Sequence, residues 1–301
     1  MRRMNPRQAV FLAAWFLFFN AAAACSPSND IPITPTVPTP SPSATFTPEP
    51  TATFFPPTPT PLACLKEPGV IEQSAAPASN PPQEFLIYLP PCYADLPAER
   101  YPVLYLLHGQ TYTQDQWVRL GAAAVADRLI HGGESPPFIM VFPDDRYWNS
   151  AAGPGFGDRF INDLIPFVDK NYRTLANRQY RFLGGLSRGG GWTVKLGLTR
   201  PDLFGALGLH SPAVFKEDAP LLERTIRSIP EEKRPRLWLD TGDQDMELSR
   251  SLLLEDLLTR AEYPHEFHFF PGDHSEAYWS AHVDDYLRWY AQMWKESRTE
   301  S

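Results

Sequence analysis

The stretch Gly184-Gly185-Leu186-Ser187-Arg188-Gly189-Gly190-Gly191 follows an apolar run at 180–183 and precedes a helical pattern at 192–199. The order is strand, tight turn, helix, with a serine at the tip. Gly185, Ser187 and Gly189 fit G-x-S-x-G, in which a strained turn lifts a serine hydroxyl above the C-terminal edge of a parallel sheet. A serine held at positive φ brings the residues two places before and after it so close that a Cβ on either would clash. Glycine-rich turns also cradle phosphates, but no Gly-Lys-Ser/Thr follows here, and Lys195 lies one helical turn too far along to serve as a phosphate-loop lysine.

Working outward, residues 85–89, 103–107, 138–142, 207–209, 237–239 and 267–270 read as further strands. The run 103–107 is continuously apolar, as expected of a strand buried on both faces. Helical patterns occupy 118–130, 160–168, 221–229, 248–261 and 283–294. Pro166 falls inside the second of these, so it must kink that helix or sit near its first turn. Strands alternating with helices predict an α/β fold, with a mostly parallel central sheet covered by helices on both faces.

In an open parallel sheet, ligands bind beyond the carboxyl ends of the strands. His108-Gly109-Gln110, Ser187, the pair Asp243 and Asp245, and His274 each follow a strand. Serine needs a base to become nucleophilic at neutral pH. Of the seven histidines, His265 and His268 fall in or beside a strand, His282 in a helix and His131 in a glycine-rich loop, while His210 ends a strand and stays a pocket candidate. His274, in the turn Pro271-Gly272-Asp273-His274 after the last strand, is the expected base. A carboxylate must fix its tautomer. Gly-x-x-Asp after a strand points to Asp245, with Asp243 left to cap or solvate the turn. The order Ser, Asp, His is that of α/β-hydrolases. Two backbone N–H groups should face the developing oxyanion, that of Arg188 directly after the serine and that of Gln110 after His108-Gly109.

The 301 residues include 33 prolines, too many for one globular domain. Most of the excess lies in a Thr/Ser/Pro-rich segment with almost no charge, read as an extended linker over 26–63. Ahead of it, three arginines, an apolar run at 9–24 and Ala22-Ala23-Ala24-Cys25 form a signal peptide over 1–25. A cysteine after small residues resembles a bacterial lipobox, although Ala22 stands where leucine is usual. Lipidation of Cys25 is expected, ordinary secretion or a retained helix being the alternatives. That placement implies an exported protein of the cell envelope or surface that touches membrane only through the lipid. Cys64 and Cys92 are then either free thiols or, in an oxidising compartment, a disulfide pinning the entry of a single folded domain at 64–296, ahead of a short tail at 297–301. Their spacing suggests no metal, and no cofactor is expected. A net charge of −8 with no basic stripe argues against nucleic acid.

Several spaced motifs together resemble the esterase D/putative esterase family, which includes bacterial feruloyl esterases, S-formylglutathione hydrolases, enterochelin esterases and mycolyltransferases. They are Tyr101-Pro102-Val103-Leu104-Tyr105-Leu106-Leu107-His108-Gly109 with Trp117; Leu164-Ile165-Pro166-Phe167-Val168-Asp169 with Tyr172-Arg173; the Ser187 octet; Pro201-Asp202-Leu203-Phe204-Gly205 with His210-Ser211; and the Asp245 and His274 segments. The resemblance implies an α/β-hydrolase fold and two-step acyl transfer by Ser187, His274 and Asp245, with oxyanion donors at Gln110 and Arg188. It leaves the substrate open.

Aromatics near the predicted strand ends, Trp117, Tyr147, Trp148, Phe156, Trp192, Tyr278 and Trp279, are candidates to stack on an aryl or sugar group, although such residues also serve as packing. The expected activity is hydrolysis of carbohydrate-linked or aryl esters, of feruloyl or acetyl type. Transfer of the acyl group to a sugar hydroxyl is the alternative within the same chemistry, and a non-catalytic surface-binding lipoprotein the alternative outside it.

Overall fold

The computed structural model describes residues 62–145 and 155–299, the side chains of 298 and 299 excepted. The expected signal peptide with Cys25, all but the last two residues of the linker, and Tyr147 and Trp148 lie outside those residues.

Eight strands, β1 Val70–Ala76, β2 Gln83–Leu89, β3 Val103–Leu107, β4 Ile139–Pro143, β5 Arg181–Leu186, β6 Ala206–His210, β7 Arg236–Gly242 and β8 Glu266–Phe270, form one sheet in the order β1-β2-β4-β3-β5-β6-β7-β8. β1 and β2 pair antiparallel, as do β2 and β4, and the other neighbours are parallel. The carboxyl ends of β3 and β5 to β8 therefore share one edge, the precondition for a site assembled from several loops.

The helices are α1 Gln116–Arg119, α2 Ala122–His131, α3 Phe156–Arg159, α4 Ile165–Asn171, α5 Arg188–Thr199, α6 Leu222–Ser228, α7 Leu248–Arg260 and α8 Glu276–Thr299. Strand alternation splits the core into two layers. Val103, Tyr105 and Leu107 pack with Phe160, Val168, Val194, Ile226 and Leu254 on one face. Leu104 and Leu106 pack with Ala126, Leu129, Tyr286, Tyr290 and Trp294 on the other. The expectation of helices on both faces is met.

Three details differ from the sequence reading: the edge strand β1 and the two ends of α8. β1 was not foreseen, because it is an edge strand whose first four residues are exposed and which carries no apolar alternation to read. Pro166 meets the second of its two expectations: a π-helical turn at Phe160–Leu164 precedes α4, which places the proline in the first turn of α4. α8 begins at Glu276, directly after the His274 turn, which puts Tyr278 and Trp279 on a helix. It also runs to Thr299, through part of the expected tail. As expected, Cys64 and Cys92 are joined by a disulfide, which ties the entry segment to the turn after β2.

Candidate active site

Ser187 sits between β5 and α5 with φ 51° and ψ −118°, a conformation disfavoured for a residue with a Cβ. The strain, about 1–3 kcal/mol for such a residue, is held by the neighbours. Ser187 N–H donates to the His210 carbonyl (2.9 Å), and the Ser187 carbonyl accepts from Gly191 N–H (3.0 Å) and Ala213 N–H (2.9 Å). The glycines are steric necessities. A Cβ on Gly185 would land on the Gly189 carbonyl, and one on Gly189 would land on the Leu107 carbonyl.

His274 Nε2 lies 2.8 Å from Ser187 Oγ, and His274 Nδ1 lies 2.8 Å from Asp245 Oδ1. A carboxylate oxygen only accepts, so Nδ1 carries the ring proton. In the neutral ring Nε2 is then an acceptor aimed at the serine hydroxyl, as a general base must be. Asp245 Oδ1 also accepts from Glu247 N–H (2.7 Å). Burial alone would raise the Asp245 carboxyl. Hydrogen bonding from His274, the nearby Ser211 hydroxyl and the Glu247 N–H outweigh it and hold the pKa below its ordinary value, so the group is a carboxylate. Asp243 has a different task. Its Oδ1 accepts from Gly272 N–H (2.9 Å), and Gln244 N–H donates to the Gly272 carbonyl (2.8 Å), which stitches the turn after β7 to the turn that presents His274.

On the other side of Ser187 runs the loop His108-Gly109-Gln110. Asp145 N–H donates to His108 Nε2 (2.8 Å), so that nitrogen is unprotonated and Nδ1–H donates to the Gly109 carbonyl (2.7 Å). Carbonyl and N–H of one trans peptide point opposite ways. Anchoring the Gly109 carbonyl on His108 therefore turns the Gln110 N–H away from it. Gly109 is close to the serine: a Cβ there would lie 3.6 Å from Ser187 Cβ. The Arg188 N–H, first of α5, has no acceptor within its own helix and sits at the positive end of the helix dipole.

The aromatic candidates divide. Trp117 is 1% exposed and donates its Nε1–H to the Leu107 carbonyl (3.0 Å), so it supports the end of β3 from within the core and cannot stack on a ligand. Trp279, 3% exposed, packs edge-on against the His274 ring at 4.9 Å and backs that side chain. Tyr278 and Phe156 are likewise buried. Trp192 is half-buried, donates to Asp145 Oδ2 (2.8 Å) and lines a cavity of about 400 Å³ with Ile161 and Lys195. His210 is no pocket residue. It is 1% exposed, bonded to the fully buried Asp240 (2.6 Å) and stacked on Tyr286.

Four supporting residues were given no role by the sequence reading. Asp145 accepts from Arg188 Nε (2.9 Å) as well as from Trp192, and burial raises its pKa despite those donors. Asp240 gathers His210, Trp238, Tyr278 and Tyr286. Gln116 bonds the Gly109 N–H (2.8 Å), and Ser211 stands beside Asp245. The positions of Asp145 and Ser211 just after strands, and the His210-Ser211 motif, gave a hint; Asp240 and Gln116 are brought in by tertiary contacts.

Comparison with known proteins gives a consistent picture. Residues 77–290 match the family described as Putative esterase. The chain is 36% identical over 140 residues to an endo-1,4-beta-xylanase/feruloyl esterase of Xylanibacter ruminicola, covering 43% of this chain and 19% of that protein. It is 26% identical over 226 residues to the esterase Rv1288 of Mycobacterium tuberculosis, covering 58% and 48%. It thus spans between about a fifth and a half of the length of these relatives. Among solved structures, a ferulic acid esterase superposes with a TM-score of 0.66 at 24% identity, over 75% of this chain and 98% of the other. The S-formylglutathione hydrolase FrmB of Staphylococcus aureus does so at 0.63 and 22%, over 74% and 96%. The likeness to these structures is one of fold, that of the α/β-hydrolases.

Proposed function

Because the chain belongs to the putative esterase family, we propose that it is a serine carboxylesterase in which Ser187, His274 and Asp245 form the catalytic triad. The observation that carries this reading is the hydrogen-bonded run from Ser187 Oγ through the His274 ring to Asp245 Oδ1. Ser187 Oγ attacks the ester carbonyl carbon as its proton passes to His274 Nε2. The carbonyl oxygen becomes an oxyanion held by the N–H groups of Gln110 and Arg188, worth about 3–4 kcal/mol per donor. The bond to the alcohol oxygen then breaks, and His274 returns the proton to the departing alkoxide. A water molecule, deprotonated by His274, attacks the acyl-serine by the same route and releases the acid.

The substrate class we favour is a carbohydrate-linked or aryl ester of feruloyl or acetyl type. The relative that joins a xylanase to a feruloyl esterase supports it. Half-buried Trp192, on the helix that directly follows Ser187, is the candidate to stack on a planar acyl group. Export on a signal peptide, a lipid at Cys25 and a Pro/Thr-rich tether belong to the same proposal, on the sequence pattern alone. Replacement of Cys25 by serine should release the protein from membranes.

The test is hydrolysis of short-chain p-nitrophenyl esters, methyl ferulate and acetylated sugars by wild type beside Ser187→Ala. Turnover that falls by ~10⁶-fold in the variant is expected. A folded wild type that turns over none of the panel would refute the reading, and transfer products exceeding free acid when a sugar acceptor is added would make the enzyme an acyltransferase.

A further inference from the structure

Gly109 is the pivot of the oxyanion loop and has the freest backbone of any residue type. Both peptides that flank it are pinned. The Gly109 carbonyl is held by His108 Nδ1–H, and the Gly109 N–H is held by Gln116 Oε1 at 2.8 Å. Gln116 is wholly buried, and its other end reaches across the site. Gln116 Nε2 donates to Glu276 Oε1 at 3.2 Å, joining residues 160 apart in sequence. Glu276 opens α8, two residues after His274. Its carboxylate is steadied in turn by Arg119 Nη1, which donates to both oxygens (3.0 and 3.2 Å), while Arg119 Nε donates to Asp115.

One side chain therefore spans the two halves of the reaction centre, the loop that presents the Gln110 N–H and the turn that presents His274. The chemistry of position 116 is specific. The bridge needs an acceptor at one end and a donor at the other, on a side chain long enough to reach both, and glutamine supplies that where glutamate would set two acceptors against Glu276. Building on the esterase reading above, we propose that Gln116 is a positioning residue. By bridging Gly109 to Glu276 it sets the Gln110 N–H in register with His274 and so acts on the chemical steps rather than on substrate binding. A misplacement of about 1 Å costs ~10²-fold in comparable sites.

The experiment is a swap, measured as kcat and KM on one p-nitrophenyl ester with folding checked by thermal melting. Gln116→Leu and Gln116→Glu should each lower kcat by roughly 30-fold or more, with KM within about threefold, less than the 10²–10³ of losing an oxyanion donor outright. Glu276→Gln keeps an oxygen that accepts from Gln116 and should cost no more than about fivefold. The double variant Gln116→Glu/Glu276→Gln restores the bridge with its polarity reversed at the far end and should regain most of the kcat lost in Gln116→Glu. A Gln116→Leu enzyme with undiminished kcat would overturn the proposal, as would a folded double variant no faster than Gln116→Glu. If Gln116→Leu does not fold, the swap alone decides. Wild-type turnover abolished by Ser187→Ala is the baseline: without it the esterase reading falls and takes the bridge with it, and with it these outcomes bear on the bridge alone.

Discussion

Replacing Asp245 by asparagine isolates the charge of the proposed triad acid. The hydrogen bonds from His274 Nδ1 (2.8 Å) and Glu247 N–H (2.7 Å) converge on Oδ1, while Oδ2 is buried and takes neither of them, and the Ser211 hydroxyl stands beside the carboxylate. An asparagine can keep its carbonyl where Oδ1 stands and turn its amide toward the Ser211 hydroxyl, which has a lone pair to offer. The tautomer of His274 is then preserved, and only the attraction between carboxylate and the imidazolium formed in the transition state is lost. At about 4 Å between charge centres and an effective dielectric constant near 20 that attraction is about 4 kcal/mol, or ~10³ in rate. Asp245→Asn should therefore lower kcat about a thousandfold on a p-nitrophenyl ester with little change in KM. Asp245→Ala, which removes the hydrogen bonds too, should fall further. Asp243→Asn keeps an oxygen for the Gly272 N–H and should cost no more than a few-fold. A kcat for Asp245→Asn within tenfold of wild type, or an Asp243→Asn enzyme that is the cripple of the pair, would refute the assignment.

The same carboxyl makes an acid-stability prediction. Its folded-state pKa lies below the unfolded one, so its contribution to stability is complete at neutral pH and fades as pH drops below about 4; acid unfolding curves of Asp245→Asn should be shallower there than those of wild type. Gly189→Ala drives a methyl into the Leu107 carbonyl and should cost about 3 kcal/mol or more while shifting Ser187, seen as a lower melting temperature together with lost turnover. Trp117→Phe removes the bond to the Leu107 carbonyl and should cost about 2 kcal/mol with KM unchanged, whereas a raised KM would return Trp117 to the pocket. Reduction of Cys64–Cys92, separated by 28 residues, should cost about 3.5 kcal/mol on a loop-entropy account without touching kcat, since Cys92 follows the end of β2 remote from the Ser187 edge.

Much of the fold, and the side chains that meet at the centre of the candidate site, were legible in the chain itself, because both rest on local rules. Continuous apolar runs between amphipathic stretches specify buried parallel strands with crossover helices. Glycines two residues either side of Ser187 announce a strained turn, and the placing of Asp245 and His274 just after strands follows from where a parallel sheet presents its loops. The edge strand β1 was illegible because half-exposed backbone pairing leaves no hydrophobic signature.

What only tertiary structure decided is which polar and aromatic side chains face the site and which support it. Trp117 and Trp192 read alike in sequence, yet one is locked under β3 and the other lines an open cavity, because the direction a helical side chain faces depends on how its helix docks. His210 read as a pocket residue, and its burial on Asp240 follows from a β6–β7 pairing that no local pattern encodes. The choice between Asp243 and Asp245 was open in the sequence to a shift of two residues. The geometry favours Asp245, whose carboxylate reaches the His274 ring while Asp243 caps the turn beneath it, a matter of contacts between segments about thirty residues apart.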